Sequence, residues 1–141
     1  MKNSDINKIL LHFLKTIYHF ERNVIIKYSL NFQEVYTLQY LKEKQEAYIS
    51  EIAQELNIMH FAASRLVSRL EKKGYVKKAQ KEYDKRVLNV VIAKSGVEII
   101  NSIEESHTQA ILNNLEENPE LDISIFIKTA ENIHKILDTK K

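Results

Sequence analysis

Two short amphipathic helical patterns, separated by only three residues, constrain this chain more than any other feature. The apolar residues of each pattern recur at the i, i+3, i+4, i+7 spacing of one helix face, so the two helices must share a core. They are Ile49, Ile52, Ala53 and Leu56 in the first pattern and Ala63, Leu66, Val67 and Leu70 in the second. The intervening segment 57–59 has the length of a helix-turn-helix corner, with Ile58 as its apolar plug.

The opposite face of the second helix carries hydroxyl and arginine side chains, which suit the major groove of DNA. We expect Ser64 and Arg65 to donate to bases and Phe61 to meet thymine methyl groups, while residues one turn later contact phosphates. The alternative is that His60 and Phe61 only close the surface of the domain. The candidate residues on this helix are His60, Phe61, Ser64, Arg65, Ser68 and Arg69.

A β-hairpin is predicted directly after this helix. Lys72-Lys73-Gly74 is a typical helix C-terminus, because cations favour the helix end and glycine accepts the left-handed conformation. Residues 75–80 and 87–92 are rich in strand-forming residues, the second run most clearly. The charged segment 81–86 between them cannot enter a core, so it should project as a wing.

Arg86 is the wing residue that we most expect to contact DNA, because an arginine on a thin loop can enter a narrow A·T-rich minor groove. Asp84 would orient Arg86 or pair with Arg65 or Arg69. The alternative is a solvated surface turn. Lysines of this region would add attraction to phosphates and a steep dependence on salt. These lysines are Lys72, Lys73, Lys77, Lys78, Lys81 and Lys85.

Charge is distributed unevenly along the chain, although the net charge is only +2. Residues 65–86 contain nine positive and three negative side chains, whereas residues 93–127 contain one positive and seven negative side chains. The first segment should attract a polyanion and the second should repel it.

The helix-turn-helix is flanked by further helices. A long first helix is predicted, followed by a second helix that an Asn31–Glu34 capping box opens. A polar loop and a strand of one or two residues within 47–49 should precede the helix-turn-helix. The predicted ranges are 4–28 and 32–41 for these helices, 42–46 for the loop, 47–49 for the strand, and 94–115 and 122–138 for two helices near the end of the chain.

The first and last helices are apolar over more of their circumference than one neighbouring helix can cover. On the first helix Leu11, Tyr18 and Ile25 widen the apolar stripe, and the last helix contains Ile125-Phe126-Ile127. The sequence therefore predicts a homodimer in which the terminal helices of two chains pack together.

Composition limits the remaining choices. A chain of 141 residues with 44% hydrophobic and 28% charged residues is expected to be one domain, or one domain with appended helices, with a substantial core. Two glycines and one proline are few, which favours a mostly helical fold. The chain has no cysteine, no apolar run of about 20 residues and no signal-peptide pattern, so we expect a cytoplasmic protein with no disulfide and no membrane partner.

These elements resemble the MarR (multiple antibiotic resistance regulator) family of bacterial winged-helix transcription factors. The matching residues are Glu51-Ile52-Ala53, the run from Ser64 to Val76, Asp84-Lys85-Arg86 and Lys94-Ser95-Gly96. The resemblance implies a mainly α (α+β) fold with one domain over residues 1–141. It would consist of a winged helix-turn-helix DNA-binding lobe at 30–93 and dimerisation helices at 1–29 and 94–141.

The resemblance also implies a small aromatic effector, since members of this family bind phenolic or other aromatic compounds in a cleft between the dimerisation helices and the DNA-binding lobe. The alternative is that the tyrosines here are half-buried packing residues with a solvated hydroxyl. The candidate cleft residues are His12, Tyr18, Tyr36, Tyr40 and His107.

An enzymatic function is not expected. The chain has no glycine-rich phosphate loop and no nucleophile motif, and Glu104-Glu105 and Glu116-Glu117 are adjacent pairs that diverge on a helix. His12 and His19 lie two turns apart on one helix and neither forms an i, i+4 pair with another ligand, so no metal site and no cofactor is predicted.

The predicted function is a sequence-specific regulator of transcription that binds double-stranded DNA. It would be a ligand-responsive repressor that acts as a homodimer on a pseudo-palindromic operator. The alternative, from another class, is a winged-helix protein–protein assembly module whose basic wing docks an acidic partner.

Overall fold

The computed structural model of the chain is mainly helical, with a small antiparallel sheet, which confirms the predicted winged-helix fold class. The structure describes residues 1–81 and 84–139, with the backbone alone for residues 80, 81 and 84–87. The elements are α1 (Asn3–Tyr28), α2 (Phe32–Lys44), β1 (Glu46–Tyr48), α3 (Ile49–Leu56), α4 (His60–Lys72), β2 (Val76–Lys81), β3 (Asp84–Ile92), α5 (Lys94–Glu117) and α6 (Ile123–Leu137).

The chain divides into two compact units, residues 1–103 and residues 104–141. The first contains the sheet, helices α1 to α4 and the first part of α5, and the second contains the rest of α5 and α6. Over the described ranges, no helix combines the length and the apolar character needed to cross a membrane.

The turn between α1 and α2 follows from two polar side chains. Ser29 takes a left-handed conformation (φ 56°) and its amide donates to the Ile25 carbonyl, which ends α1. Asn31 then caps α2: its Oδ1 accepts from the Glu34 amide at 2.9 Å, and Glu34 Oε1 accepts from the Asn31 amide at 3.1 Å. The predicted capping box is confirmed.

The predicted loop at residues 42–46 was wrong. Residues 42–44 continue α2, and the helix ends at Gln45, which adopts φ 71° and donates its amide to the Leu41 carbonyl. Glycine is the residue that usually marks a helix end with positive φ, and a glutamine gives no such mark in the sequence. The predicted end of α2 was therefore too early. The short strand begins at Glu46 instead of Ala47, and Ile49 is the first residue of α3.

The helix-turn-helix is formed by α3 and α4, as predicted. Asn57 takes the left-handed conformation (φ 54°) at the corner, and Ile58 packs against the core. The predicted inward residues of α4 are fully buried in the described structure, which fixes the opposite face toward solvent. They are Ala63, Leu66, Val67 and Leu70.

The sheet has the order β1-β3-β2 among the described residues, and both pairings are antiparallel. Val90 in the central strand pairs with Ala47 on one side and with Lys78 on the other. Both hairpin strands extend further than predicted, because the backbone pairs Lys81 with Asp84. The charged segment assigned to a loop is therefore partly strand.

Gly74 separates α4 from the sheet with φ 84°, as the helix-end signature predicted. The start of α5 then packs on this corner: the Ser95 hydroxyl donates to the Gly74 carbonyl, and the Ala93 amide donates to the Tyr75 carbonyl at 2.9 Å. Gly96 is buried here, and no larger residue fits, because a Cβ atom would overlap the Tyr75 carbonyl and lie 2.8 Å from Ile92 Cγ1.

Candidate nucleic-acid interface

The exposed face of α4 carries most of the predicted DNA-contacting residues. His60, Phe61, Arg65, Ser68 and Arg69 are exposed, and Ser64 is partly exposed. Their orientation follows from the burial of the apolar residues on the other face of the helix. The structure therefore brings the six predicted residues of this helix onto one accessible surface.

Phe61 and Arg65 lie one helical turn apart and contact each other. The Arg65 guanidinium carbon is 5.4 Å from the centre of the Phe61 ring, within the range of a cation–π interaction. Phe61 remains 70% exposed and Arg65 is exposed as well, so the contact leaves both side chains accessible to solvent. The sequence suggested thymine methyl groups as the partner of Phe61 and missed this intramolecular contact.

Helix α4 begins without a side-chain cap. Met59 occupies the N-cap position, is 79% exposed and makes no capping hydrogen bond, because a thioether offers only a weak acceptor. In α2 and α6 the corresponding positions are filled by Asn31 and Asp122, whose side chains accept from backbone amides.

Strand β2 is joined to α4 by Lys78. Its ammonium donates to Ser68 Oγ at 3.0 Å and lies 3.5 Å from Glu71 Oε1, while Glu71 Oε2 accepts from the Lys78 amide at 3.0 Å. Lys78 thus helps to fix the hairpin against the helix. The sequence predicted only that it attracts phosphates. Ser68 already has one partner within the protein.

The contacts of Lys73 also differ from the predicted role of this residue, which was to attract phosphates. Its ammonium donates at 2.9 Å to the Ser29 carbonyl and at 2.9 Å to Glu34 Oε2. The Glu34 carboxylate is buried and also belongs to the capping box of α2. Lys73 therefore neutralises a buried charge and links the end of α4 to the α1–α2 turn, so it is a structural residue rather than a free phosphate contact.

The wing is described in part. Lys77 is exposed on β2, on the same strand as Lys78. The side chains of Lys81, Asp84, Lys85 and Arg86 lie outside the described residues, although the backbone places all four in the hairpin strands. Their predicted contacts with DNA stay predictions.

The five predicted effector residues lie in different parts of the chain. His12 and Tyr18 are exposed on α1, and His107 lies in the second compact unit, where burial lowers its pKa and Glu104 opposes that shift. Tyr36 and Tyr40 lie one turn apart on α2 and line the same cavity. Burial raises the pKa of both tyrosines, with a further increase from Glu21 at Tyr36.

Within the described part of the chain, no three histidine, aspartate or glutamate side chains are close enough together to hold a metal ion.

Residues 30–88 match the model of the MarR family. This segment holds α2, the sheet up to Leu88, and the α3–α4 pair whose exposed face is described above. The segment resembles the winged helix of the MarR family. The solved structures that resemble the chain cover nearly all of it, so the shared fold includes the helices on both sides of this segment.

Three solved structures illustrate this similarity. A MarR-family protein from Bacillus stearothermophilus is 20% identical, with a TM-score of 0.76 over 95% of this chain and 94% of that one. FabT from Streptococcus pneumoniae, solved in complex with DNA, is 20% identical, with a TM-score of 0.74 over 96% of this chain and 97% of that one. A mutant MarR from E. coli complexed with operator DNA is 17% identical, with a TM-score of 0.72 over 98% and 100%.

At these identities the similarity establishes the fold, and no curated protein matches the chain in sequence.

Proposed function

We propose that this protein is a sequence-specific transcriptional regulator that binds double-stranded DNA through α4 and the β2–β3 hairpin. The observation that carries the proposal is the exposed face of α4, where Phe61, Arg65, Ser68 and Arg69 are accessible on a helix anchored by four buried apolar residues. The MarR-family match over residues 30–88 supports it, as does the similarity to FabT and MarR, whose structures contain DNA.

The charge of the lobe supports the same function. Residues 65–86 carry an excess of six positive charges. Among the cations of this segment whose side chains the structure describes, Lys73 and Lys78 are paired with protein carboxylates. The remaining cations would contribute to phosphate attraction, and the affinity for DNA would fall steeply as salt rises.

We further propose that the regulator acts as a homodimer on a pseudo-palindromic operator. The terminal helices carry large apolar side chains that the single chain leaves exposed, and α6 has no buried residue. Packing these helices against those of a second chain would cover the apolar surface. Two α4 helices would then enter successive major grooves about 34–36 Å apart.

Regulation by a ligand completes the proposal. A small aromatic effector without an acidic group, bound near Tyr36 and Tyr40, would change the spacing of the two lobes and release DNA, as expected of a ligand-responsive repressor. His12, Tyr18 and His107 remain the other candidates for contacts with that effector.

The proposal is tested by selecting bound fragments from random genomic DNA and measuring their affinity by fluorescence anisotropy over a series of salt concentrations. Arg65→Ala should weaken binding to the selected duplex by about 1–3 kcal/mol and relax its sequence preference. Arg86→Ala should also weaken binding, by the loss of a minor-groove contact. Lys8→Ala removes one exposed cation from α1 and serves as the charge-matched control.

If Arg65→Ala and Arg86→Ala both bound duplex DNA like the wild type at moderate salt, DNA recognition by this surface would be refuted. The alternative of an assembly module that docks an acidic partner would then be favoured.

A further inference from the structure

We propose that the cavity between α2 and α3 binds a small organic cation, such as a quaternary ammonium compound or an alkylamine. The cavity has a volume of about 250 Å³ and lies wholly within the first compact unit. Its lining combines two aromatic rings, two carboxylates, one amide and one aliphatic side chain. These residues are Tyr36, Gln39, Tyr40, Glu43, Glu55 and Leu56.

The sequence builds this cavity from one face of α2 and the end of α3. Tyr36, Tyr40 and Glu43 follow the i, i+4, i+7 spacing, so they share a face. The opposite side of α2 is held in the core by Val35 and Leu38, which are buried. The two tyrosines are thus presented on a helix whose position is fixed by packing.

Carboxylates make the cavity favourable for a cation, since Glu43 and Glu55 belong to its lining. The pKa of Tyr40 is raised by burial and then by the nearby charges of Glu51, Glu55 and Glu43. The same carboxylates that disfavour a phenolate here would favour a bound cation. Glu51 is engaged with the Tyr48 amide at 2.8 Å, whereas Glu43 and Glu55 form no ion pair with any residue of the described ranges.

The aromatic rings favour an organic cation over a metal ion. Tyr36 is stacked on Phe32, with ring centres 5.4 Å apart and planes inclined by 11°, which holds the Tyr36 ring in place. Tyrosine faces attract ammonium groups, and combinations of aromatic rings and carboxylates recognise quaternary ammonium ligands. Leu56 adds an apolar surface for the alkyl groups of such a ligand.

The same chemistry excludes an aromatic acid, because a carboxylate ligand would meet Glu43 and Glu55 without a compensating cation among the lining residues. The basic surface of the lobe, by contrast, would repel an ammonium compound. The same lobe therefore has a basic surface that attracts polyanions and, at another place, a cavity that attracts cations.

An effect of the ligand on DNA affinity rests on the proposed function. Helix α3 forms one wall of the cavity and packs against α4 in the helix-turn-helix, so an occupant that contacts Glu55 and Leu56 would bias the position of α3. Binding itself does not depend on that proposal and is measured without DNA.

The test uses the full chain, free of DNA, in isothermal titration at constant ionic strength. Choline is the cationic probe, 3,3-dimethylbutan-1-ol is its uncharged isostere, and benzoate is the aromatic anion. We expect choline to bind at one site about tenfold more tightly than the alcohol, since a partly desolvated cation–π contact with a nearby carboxylate is worth about 1–2 kcal/mol. Benzoate should not compete.

Variants assign the site. The double substitution Glu43→Gln with Glu55→Gln should weaken choline binding at least tenfold, while Glu105→Gln with Glu120→Gln, which removes two exposed carboxylates elsewhere, should leave it unchanged. Tyr40→Phe keeps the ring and should retain binding, whereas Tyr40→Leu should lose it. Circular dichroism checks that each variant is folded.

Equal binding of choline and its isostere would overturn the proposal, as would the absence of choline binding to the wild type or an unaffected double variant. Retention of choline binding by a protein that fails to bind DNA would refute the proposed function alone.

Discussion

From the contact between Phe61 and Arg65 we predict that Phe61 contributes to DNA binding through its neighbour. Phe61→Leu should weaken the affinity for operator DNA about two- to fivefold, which corresponds to the 0.5–1 kcal/mol of an exposed cation–π contact. Phe61→Tyr should keep the affinity. Protein stability should hardly change, because the ring is 70% exposed. Fluorescence anisotropy and thermal unfolding measure the two quantities.

The Arg65→Ala background separates the two roles of Phe61. If the ring only orients Arg65, Phe61→Leu has no further effect in that background. A persisting loss would instead support direct contact with thymine methyl groups.

The ion pair of Lys73 with the buried Glu34 carboxylate should be visible in stability. Lys73→Met keeps the aliphatic stem but leaves Glu34 without its cation, so we expect a loss of about 2 kcal/mol in the free energy of unfolding. In urea this corresponds to a midpoint lower by about 1 M. Lys72→Met, at the adjacent exposed residue, is the control. Equal midpoints for the two variants would contradict the structural role of Lys73.

Residue patterns in the sequence identified the exposed and buried faces of α4, because apolar spacing determines which side of a helix meets the core. They did not identify the partners of Lys73 and Lys78. Lys73 meets Glu34 across 39 positions of sequence, and such a pairing depends on how α2 and α4 pack. A lysine in a basic run offers no local sign that distinguishes a free cation from a paired one.

At the scale of elements, the close approach of α5 to the base of the hairpin depends on Gly96. Glycine to alanine normally stabilises a helix by about 1 kcal/mol, but here the new methyl group would overlap the Tyr75 carbonyl. We therefore expect Gly96→Ala to destabilise the protein by about 1–3 kcal/mol, which calorimetry would record as a melting temperature lower by about 5 °C. Asn101→Ala, at an exposed position of the same helix, should not lower it. An unchanged or higher melting temperature in Gly96→Ala would show that α5 can shift at no cost.

The order and type of the elements could be predicted, whereas several of their ends could not. Helix α2 continues through polar residues and ends at Gln45, and the hairpin strands extend into a charged segment. In both cases backbone hydrogen bonding continues where side-chain polarity suggested a loop. Polarity indicates exposure, and an exposed segment can still be helix or strand.

The oligomeric state is a property of the whole molecule. The wild-type chain, of 16.6 kDa, should sediment at about twice that mass at micromolar concentration, because a second chain would cover the exposed apolar side chains of α1 and α6. Phe126→Glu combined with Ile127→Glu places charges on two sides of α6 and should shift the equilibrium to monomer. Thr129→Glu adds a charge at a polar exposed position and should not. A monomeric wild type would refute the predicted homodimer.

The double contact of the Lys73 ammonium has a mechanical consequence. The Lys73 ammonium binds the Ser29 carbonyl at the end of α1 and the Glu34 carboxylate at the start of α2. The end of α4 and the end of α1 are therefore joined at this point. With 26 residues, α1 is about 39 Å long. A tilt of α1 by about 5° around this point would displace the other end of the helix by about 3 Å, because 26 residues at 1.5 Å each give its length. If that end is held by a second chain, the angle set at Lys73 contributes to the separation of the two reading helices.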